Sequence, residues 1–143
     1  MPHPSELDVA DFAESLGMFV RRVRAAAADQ ELSWSEVSVL KHLARSGPAT
    51  TADLARLQGM RPQSMRPIVA ALERSGMIVR KPHATDGRQV NLELTDKGAA
   101  VQKTVGEARK TWLCAAISSL ATEQRASLFE AGRLLRRMAG VGQ

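Results

Sequence analysis

The stretch VRKPHATDGRQVNLELTDKG, residues 79–98, limits what this chain can fold into more than any other. Val90, Leu92 and Leu94 alternate with Asn91 and Glu93, the period-two pattern of a strand with one wet face. Met77 to Lys81 reads as its partner strand, and the polar segment from Pro82 to Arg88 as the loop between them. A lone two-stranded hairpin is at best marginally stable in water, so it must pack on something. Everything around it has helical periodicity.

From Leu7 to about Ala28, Val9, Phe12, Leu16, Phe19, Val20 and Val23 recur at helical spacing among charged residues, which predicts an amphipathic first helix. The next segment, LSWSEVSVLKHLARSGP, carries both ends of a helix. Ser33 with Glu36 three residues later makes a capping box, and Gly47 followed by Pro48 makes a stop. Trp34, Val37, Leu40 and Leu43 or Ala44 form its expected buried stripe. Thr50 with Asp53 caps a short helix whose inner side is Leu54, Ala55 and Leu57. A further helix follows, with Pro62 at its start, Ile68, Val69 and Leu72 inside, and Gly76 as the left-handed residue that ends it. Pro67 falls inside that helix, so either the helix bends there or its regular part starts near Ser64. After the hairpin, Thr95 caps a long helix carrying Val101, Val105, Ala108, Trp112 and Ala115. Thr122 caps a last one with Leu128, Ala131, Leu134, Leu135 and Met138 inside.

The order is long helix, three shorter helices, hairpin, long helix, helix. That predicts a mainly α winged helix-turn-helix, a three-helix core plus a β-hairpin wing, flanked by terminal helices. The hairpin then packs against the second helix of the helix-turn-helix and extends one arm beyond the body. With 143 residues, one folding unit is expected.

Charge distribution points the same way. The formal net charge is +5, and the excess is local: residues 1–60 hold six Lys/Arg against eight Asp/Glu, whereas residues 61–97 hold seven against four. A helix presented to a major groove reads bases through its N-terminal half while the preceding helix crosses the phosphates. Here that half offers Arg61, Gln63, Ser64 and Arg66. Arginine pairs with guanine edges in bidentate fashion, glutamine with adenine. Arg80, Lys81 and Arg88 on the hairpin are placed to reach the backbone or a narrow minor groove. Asp86, which phosphate would repel, is expected to orient Arg88 or shape the turn.

The segments LSWSEVSVLKHLARSGPATTADLARLQGM and LERSGMIVRKPHATDGRQVNLELTDKG, with the wing's DGR and the LTDKG that follows, resemble the MarR family of winged-helix transcriptional regulators. Asp86 and Arg88 match the outer positions of that family's wing motif, with Gly87 between them where an arginine is frequent. The resemblance implies a homodimer in which residues 1–30 and 98–143 form a helical dimerisation region and residues 31–97 the DNA-binding region. It implies double-stranded DNA with a pseudo-palindromic operator as partner, and repression relieved by a small aromatic or lipophilic ligand or by oxidation. The expected DNA-binding set is Thr50, Arg61, Gln63, Ser64, Arg66, Arg80, Lys81, Asp86 and Arg88. The family's ligand pocket lies between the dimerisation helices and the winged domain, which implies Met18, Arg22, Trp34, Val37 and Trp112, with Lys41 or His42 nearby.

A winged helix that binds only protein is the rival reading. An enzyme is disfavoured, because no nucleophile-base signature, phosphate-cradling glycine loop or metal set is present, and no cofactor is expected. His3, His42 and His83 lack the spacing of a metal cluster. Cys114, the only cysteine, sits in WLCAAI and is expected to be packed rather than redox-active. Its solitude, with no basic-then-apolar leader, suggests a cytoplasmic protein, and the apolar runs are far short of the roughly 20 residues that span a bilayer.

Overall fold

The computed structural model describes residues 3–28 and 31–140. Six helices and one hairpin follow in the order α1 (Glu6–Ala25), α2 (Trp34–Ser46), α3 (Thr51–Leu57), α4 (Pro62–Arg74), β1 (Ile78–Pro82), β2 (Val90–Leu94), α5 (Asp96–Ser118) and α6 (Thr122–Met138). This is the expected mainly α winged helix-turn-helix with helices at both ends.

Local chemistry sets most of the boundaries. Ser33 and Glu36 form the capping box that starts α2, and Thr50 and Asp53 form the one that starts α3. The Thr50 hydroxyl and N–H hold the Asp53 carboxyl below its ordinary pKa. Thr95 caps α5 by accepting from the Gly98 N–H. The start of α6 departs from expectation: Ala121 is its N-cap and Thr122 its first residue. The cap contact comes instead from Gln124, whose side-chain oxygen accepts from the Ala121 N–H at 3.0 Å.

Pro67 does not postpone the helix it interrupts. α4 runs from Pro62, with Pro67 inside it. The bond that proline removes would have ended on the Gln63 carbonyl, and both residues are exposed, so the loss falls on the wet side of the helix.

The core collects Val39, Leu40 and Leu43 from α2, Leu54 and Ala55 from α3, Met65, Val69 and Leu72 from α4, and Ile78 and Leu92 from the hairpin. Leu92 explains why the hairpin is stable. It is fully buried, and its backbone exchanges two hydrogen bonds with Ala49, at 2.8 and 3.2 Å, so the wing's root is pinned to the residue before the α3 cap. Its neighbour Val90, two residues nearer the tip, is exposed.

Several expected core positions lie outside it. Trp34 and Leu57 are 42% and 61% exposed, Ala44 is exposed, and Val39 and Met65 take buried places that were not expected. α1 and α6 bury no residue, and Leu128, Leu134 and Met138 of α6 are exposed, because in a single chain these two faces have nothing wide enough to lie on. Cys114 is exposed on α5 rather than packed. Among the described residues no helix is long and apolar enough to cross a membrane.

The fall in burial along the apolar face of β2, from Leu92 at the root to Val90 nearer the tip, has a direct check. Replacing Leu92 with Ala removes about 2–5 kcal/mol of unfolding free energy, as for other buried leucines, whereas Val90→Ala stays within about 1 kcal/mol. Urea titrations measure both. Equal losses at the two positions would contradict the burial pattern.

Candidate nucleic-acid interface

α4 is held by one face and offers the other. Met65, Val69 and Leu72 lie one helical turn apart and are buried. At 3.6 residues per turn, Gln63 and Pro67 then project about 160° away from Met65, with Ser64 and Arg66 on the two flanks. Arg61, Gln63, Ser64 and Arg66 are all exposed. Arg61 is the N-cap residue, yet its side chain makes no cap hydrogen bond. The face that carries these four residues is therefore open to solvent.

Thr50 contributes differently from the others. Its hydroxyl accepts from the Asp53 N–H at 3.1 Å and is committed to the α3 cap. It nevertheless lines a hollow of about 300 Å³ with Thr51, Pro62, Arg66 and Gln89, where the start of α3, the start of α4 and the wing meet. Gln89 was not expected there. Its signal in the sequence is only its place as the first residue after the Pro82–Arg88 loop, at the start of a strand expected over residues 89–94 and observed from Val90.

The wing divides into braced and free cations. Arg80 Nε lies 2.8 Å from Glu73 Oε2, which ties the first wing strand to α4. Lys81 Nζ lies 2.8 Å from Glu93 Oε2 across the hairpin, a contact that raises the lysine's pKa. Both were expected as anion contacts; each already has a carboxylate. Among the described residues, Arg61, Arg66 and Arg88 form no ion pair. Any phosphate that approaches meets these three charges unopposed.

The tip that carries Arg88 is ordered by its own side chains. Asp86 Oδ1 accepts from the Arg88 N–H at 3.0 Å, so the carboxylate shapes the turn. His83 Nδ1 accepts from the Asp86 and Thr85 N–H groups at 3.1 and 3.3 Å. His83 therefore has a structural task in the wing.

A second cavity, of about 380 Å³, lies where α1, α2 and α5 converge. Trp34, Val37 and Lys41 line it, as expected. Arg109 and Lys110 line it as well, and they were missed, although Arg109 stands four residues after Val105 on an otherwise apolar stripe. The Arg109 guanidinium lies 4.9 Å from the Trp34 ring centre, and among the described residues its buried Nε has no hydrogen-bond partner. Burial, with the charge of Arg24 adding to it, holds the guanidinium below its ordinary pKa. Three of the expected ligand residues are elsewhere. Trp112 packs on Phe19 at 5.9 Å between ring centres, so it faces α1; Arg22 lies over the same ring at 5.4 Å, and Met18 is exposed. His42 is not part of the lining.

Comparison with known proteins agrees with this fold. A family model described as MarR family matches residues 30–89. The chain is 32% identical over 126 residues to the HTH-type transcriptional regulator ML2140 of Mycobacterium leprae, covering 88% of each protein. It is 32% identical over 81 residues to the HTH-type transcriptional repressor Rv2887 of Mycobacterium tuberculosis, covering 57% of this chain and 58% of that one. The crystal structure of RV1404 from Mycobacterium tuberculosis superposes with a TM-score of 0.82 at 26% identity over 99% of both chains.

The division of wing cations predicts unequal mutants. Arg88→Ala weakens binding to duplex DNA and makes the logarithmic salt dependence shallower by about one unit, because one phosphate contact is lost, while the melting temperature stays put. Arg80→Ala, which frees Glu73, leaves that slope within about a few tenths of the wild-type value. Fluorescence anisotropy between low and moderate salt distinguishes the two, and equal slopes would remove the distinction between braced and free charges.

Proposed function

This chain belongs to the MarR family of helix-turn-helix transcription regulators, which are DNA-binding proteins and not enzymes, and from that premise we propose that it is a homodimeric repressor released by a small ligand. The observation that carries the reading is the unreconciled apolar surface at the two ends of the chain. Leu7, Val9, Phe12 and Phe19 on α1, and Phe129, Leu134 and Met138 on α6, are all about 40% exposed or more. Contiguous apolar patches of this kind mark association surfaces in soluble proteins. A second copy is the partner that a two-fold operator requires, so residues 1–30 and 98–143 are assigned to dimerisation and 31–97 to DNA.

On DNA, the first turns of α4 enter the major groove, with Arg61, Gln63, Ser64 and Arg66 facing the base edges. The start of α3 crosses the backbone, and Arg88 follows the groove at the wing. Likeness to a repressor over a little more than half of the chain supports repression rather than activation. The cavity between α1, α2 and α5 supports a ligand. Lys41, Arg109 and Lys110 supply positive charge, Trp34 an aromatic wall, and the buried Arg109 Nε an unused donor. A small aromatic anion satisfies all three.

Sedimentation of the intact protein is expected to give about twice 15.5 kDa, and Phe129→Glu to shift it towards the monomer. Selection from random duplexes returns inverted half-sites with centres about 34 Å apart. A monomer that selects no paired sites would end the dimeric reading, and a protein with no salt-sensitive DNA affinity would favour the protein-binding alternative.

Ligand response is tested with salicylate as the probe. Titration quenches the tryptophan fluorescence, and Arg109→Met weakens the binding at least about tenfold, the size of one charge-assisted hydrogen bond. Linkage requires operator DNA to weaken salicylate by the factor by which salicylate weakens DNA. Quenching that is indifferent to operator DNA would refute induction.

A further inference from the structure

The end of α4 leaves three successive carbonyls outside the helix, and the start of α5 satisfies each of them. Lys97 Nζ donates to the Ser75 carbonyl at 2.7 Å, Thr95 Oγ1 donates to the Gly76 carbonyl at 2.5 Å, and the Thr95 N–H donates to the Met77 carbonyl at 3.1 Å. The carbonyls at a helix C-terminus are ordinarily left to water or to local turns. Here the donors come from about twenty residues further on, across the whole wing.

The contact leaves no slack. Thr95 Oγ1 gives its only proton to Gly76 and at the same time accepts from the Gly98 N–H at 3.1 Å, so one hydroxyl caps α5 and ties it to α4. Gly76 adopts φ 74°, the left-handed conformation that turns the chain out of α4. Gly98 is buried, and a Cβ there would lie 2.0 Å from the Met77 carbonyl oxygen and 2.9 Å from its carbon. Backbone meets backbone without room for a methyl group. The arrangement also sets the negative end of α4 against the positive end of α5, with the Lys97 ammonium beside the α4 carbonyls, which is the favourable sense for helix dipoles.

We propose that Thr95, Lys97 and Gly98 are positioning residues for operator recognition: they fix the angle between the recognition helix and α5, and with it the half-site spacing that the dimer accepts. This rests on the dimeric reading above. The lever is long. α4 has 13 residues, so its reading end lies about 20 Å from the joint at 1.5 Å per residue. A tilt of about 10° at the joint therefore moves that end by about 3.4 Å, the rise of one base-pair step. In a two-fold dimer both ends move.

The test uses the full-length protein and half-sites selected from random DNA by the wild type, rebuilt in duplexes whose spacer is lengthened or shortened by one or two base pairs. The wild type is expected to prefer one spacing by about tenfold or more, the discrimination typical of a misplaced base contact. Thr95→Val and Lys97→Met, alone and together, reduce that preference to under about threefold while leaving the affinity for random duplex unchanged. Thr95→Ser, which restores the hydroxyl, behaves as wild type. Melting temperatures are followed in parallel, and if Thr95→Val does not fold, Lys97→Met carries the test, since it removes only an exposed donor. Variants that keep the wild-type spacing preference, or that lose affinity equally at every spacing, overturn the positioning role alone. A wild type that selects no paired half-sites overturns the dimeric reading, and this proposal with it.

Discussion

The burial of Met65, Val69 and Leu72 is the interaction on which the rest depends, because it fixes one face of a helix whose opposite face must stay in water. Three fully buried side chains, each contributing about 1.5–3 kcal/mol, hold α4 against α2, α3 and the root of the wing. Rotation of α4 by even one residue would carry Met65 to a flank and an exposed polar side chain inward. The orientation of Gln63, Ser64 and Arg66 is thus a consequence of apolar packing behind them. Their own contacts contribute little to it, so substitutions at these positions leave the packing behind them in place.

The wing inherits its position from the same core. Leu92 is a core residue that belongs to the hairpin, and the Ala49 bridge beside it joins the wing to the helix-turn-helix by backbone. Electrostatics then refine what packing has placed. Arg80 meets Glu73 and Lys81 meets Glu93, while among the described residues Arg61, Arg66 and Arg88 have no ion pair. A basic hairpin is consequently less basic than its composition, and its one uncommitted cation stands at the tip, where Asp86 and His83 have ordered the backbone.

What the sequence made legible is what short-range chemistry decides. The capping boxes at Ser33 and Thr50 and the left-handed exit at Gly76 each depend on residues within about four positions, and each is seen in the structure; the alternation in β2 located the strand, but of its apolar residues only Leu92 is buried. Residues that depend on distant partners were less visible. Nothing near Arg80 announces Glu73 seven positions back as its partner, and nothing near Lys81 announces Glu93. Both tryptophans fit an apolar stripe, but only the packing of α1 on α5 sends Trp112 towards Phe19 and leaves Trp34 beside Arg109. In the sequence Arg109 reads only as a cation interrupting the apolar stripe of α5, because the cavity it lines is built by residues of α1 and α2. The helical stripe of α6 was legible, but among the described residues nothing buries it.

These features bear on how a small molecule can release a repressor. A ligand alters DNA affinity only through its preference for one arrangement of the two reading heads. Moving such an equilibrium from 99:1 to 1:99 takes a total preference of about 10⁴-fold. A two-fold dimer has two equal cavities, so each ligand has to supply only about 10²-fold, or about 2.7 kcal/mol. One hydrogen bond between charged groups, made in one arrangement and not in the other, is worth about 1.5–3 kcal/mol. Among the described residues Arg109 Nε is a buried donor without a partner, on the helix whose first turn is tied to the end of α4. An anion that reached this one atom in only one of the two arrangements would have enough free energy to choose between them, and α5 already connects the cavity to the joint through which that choice would be read.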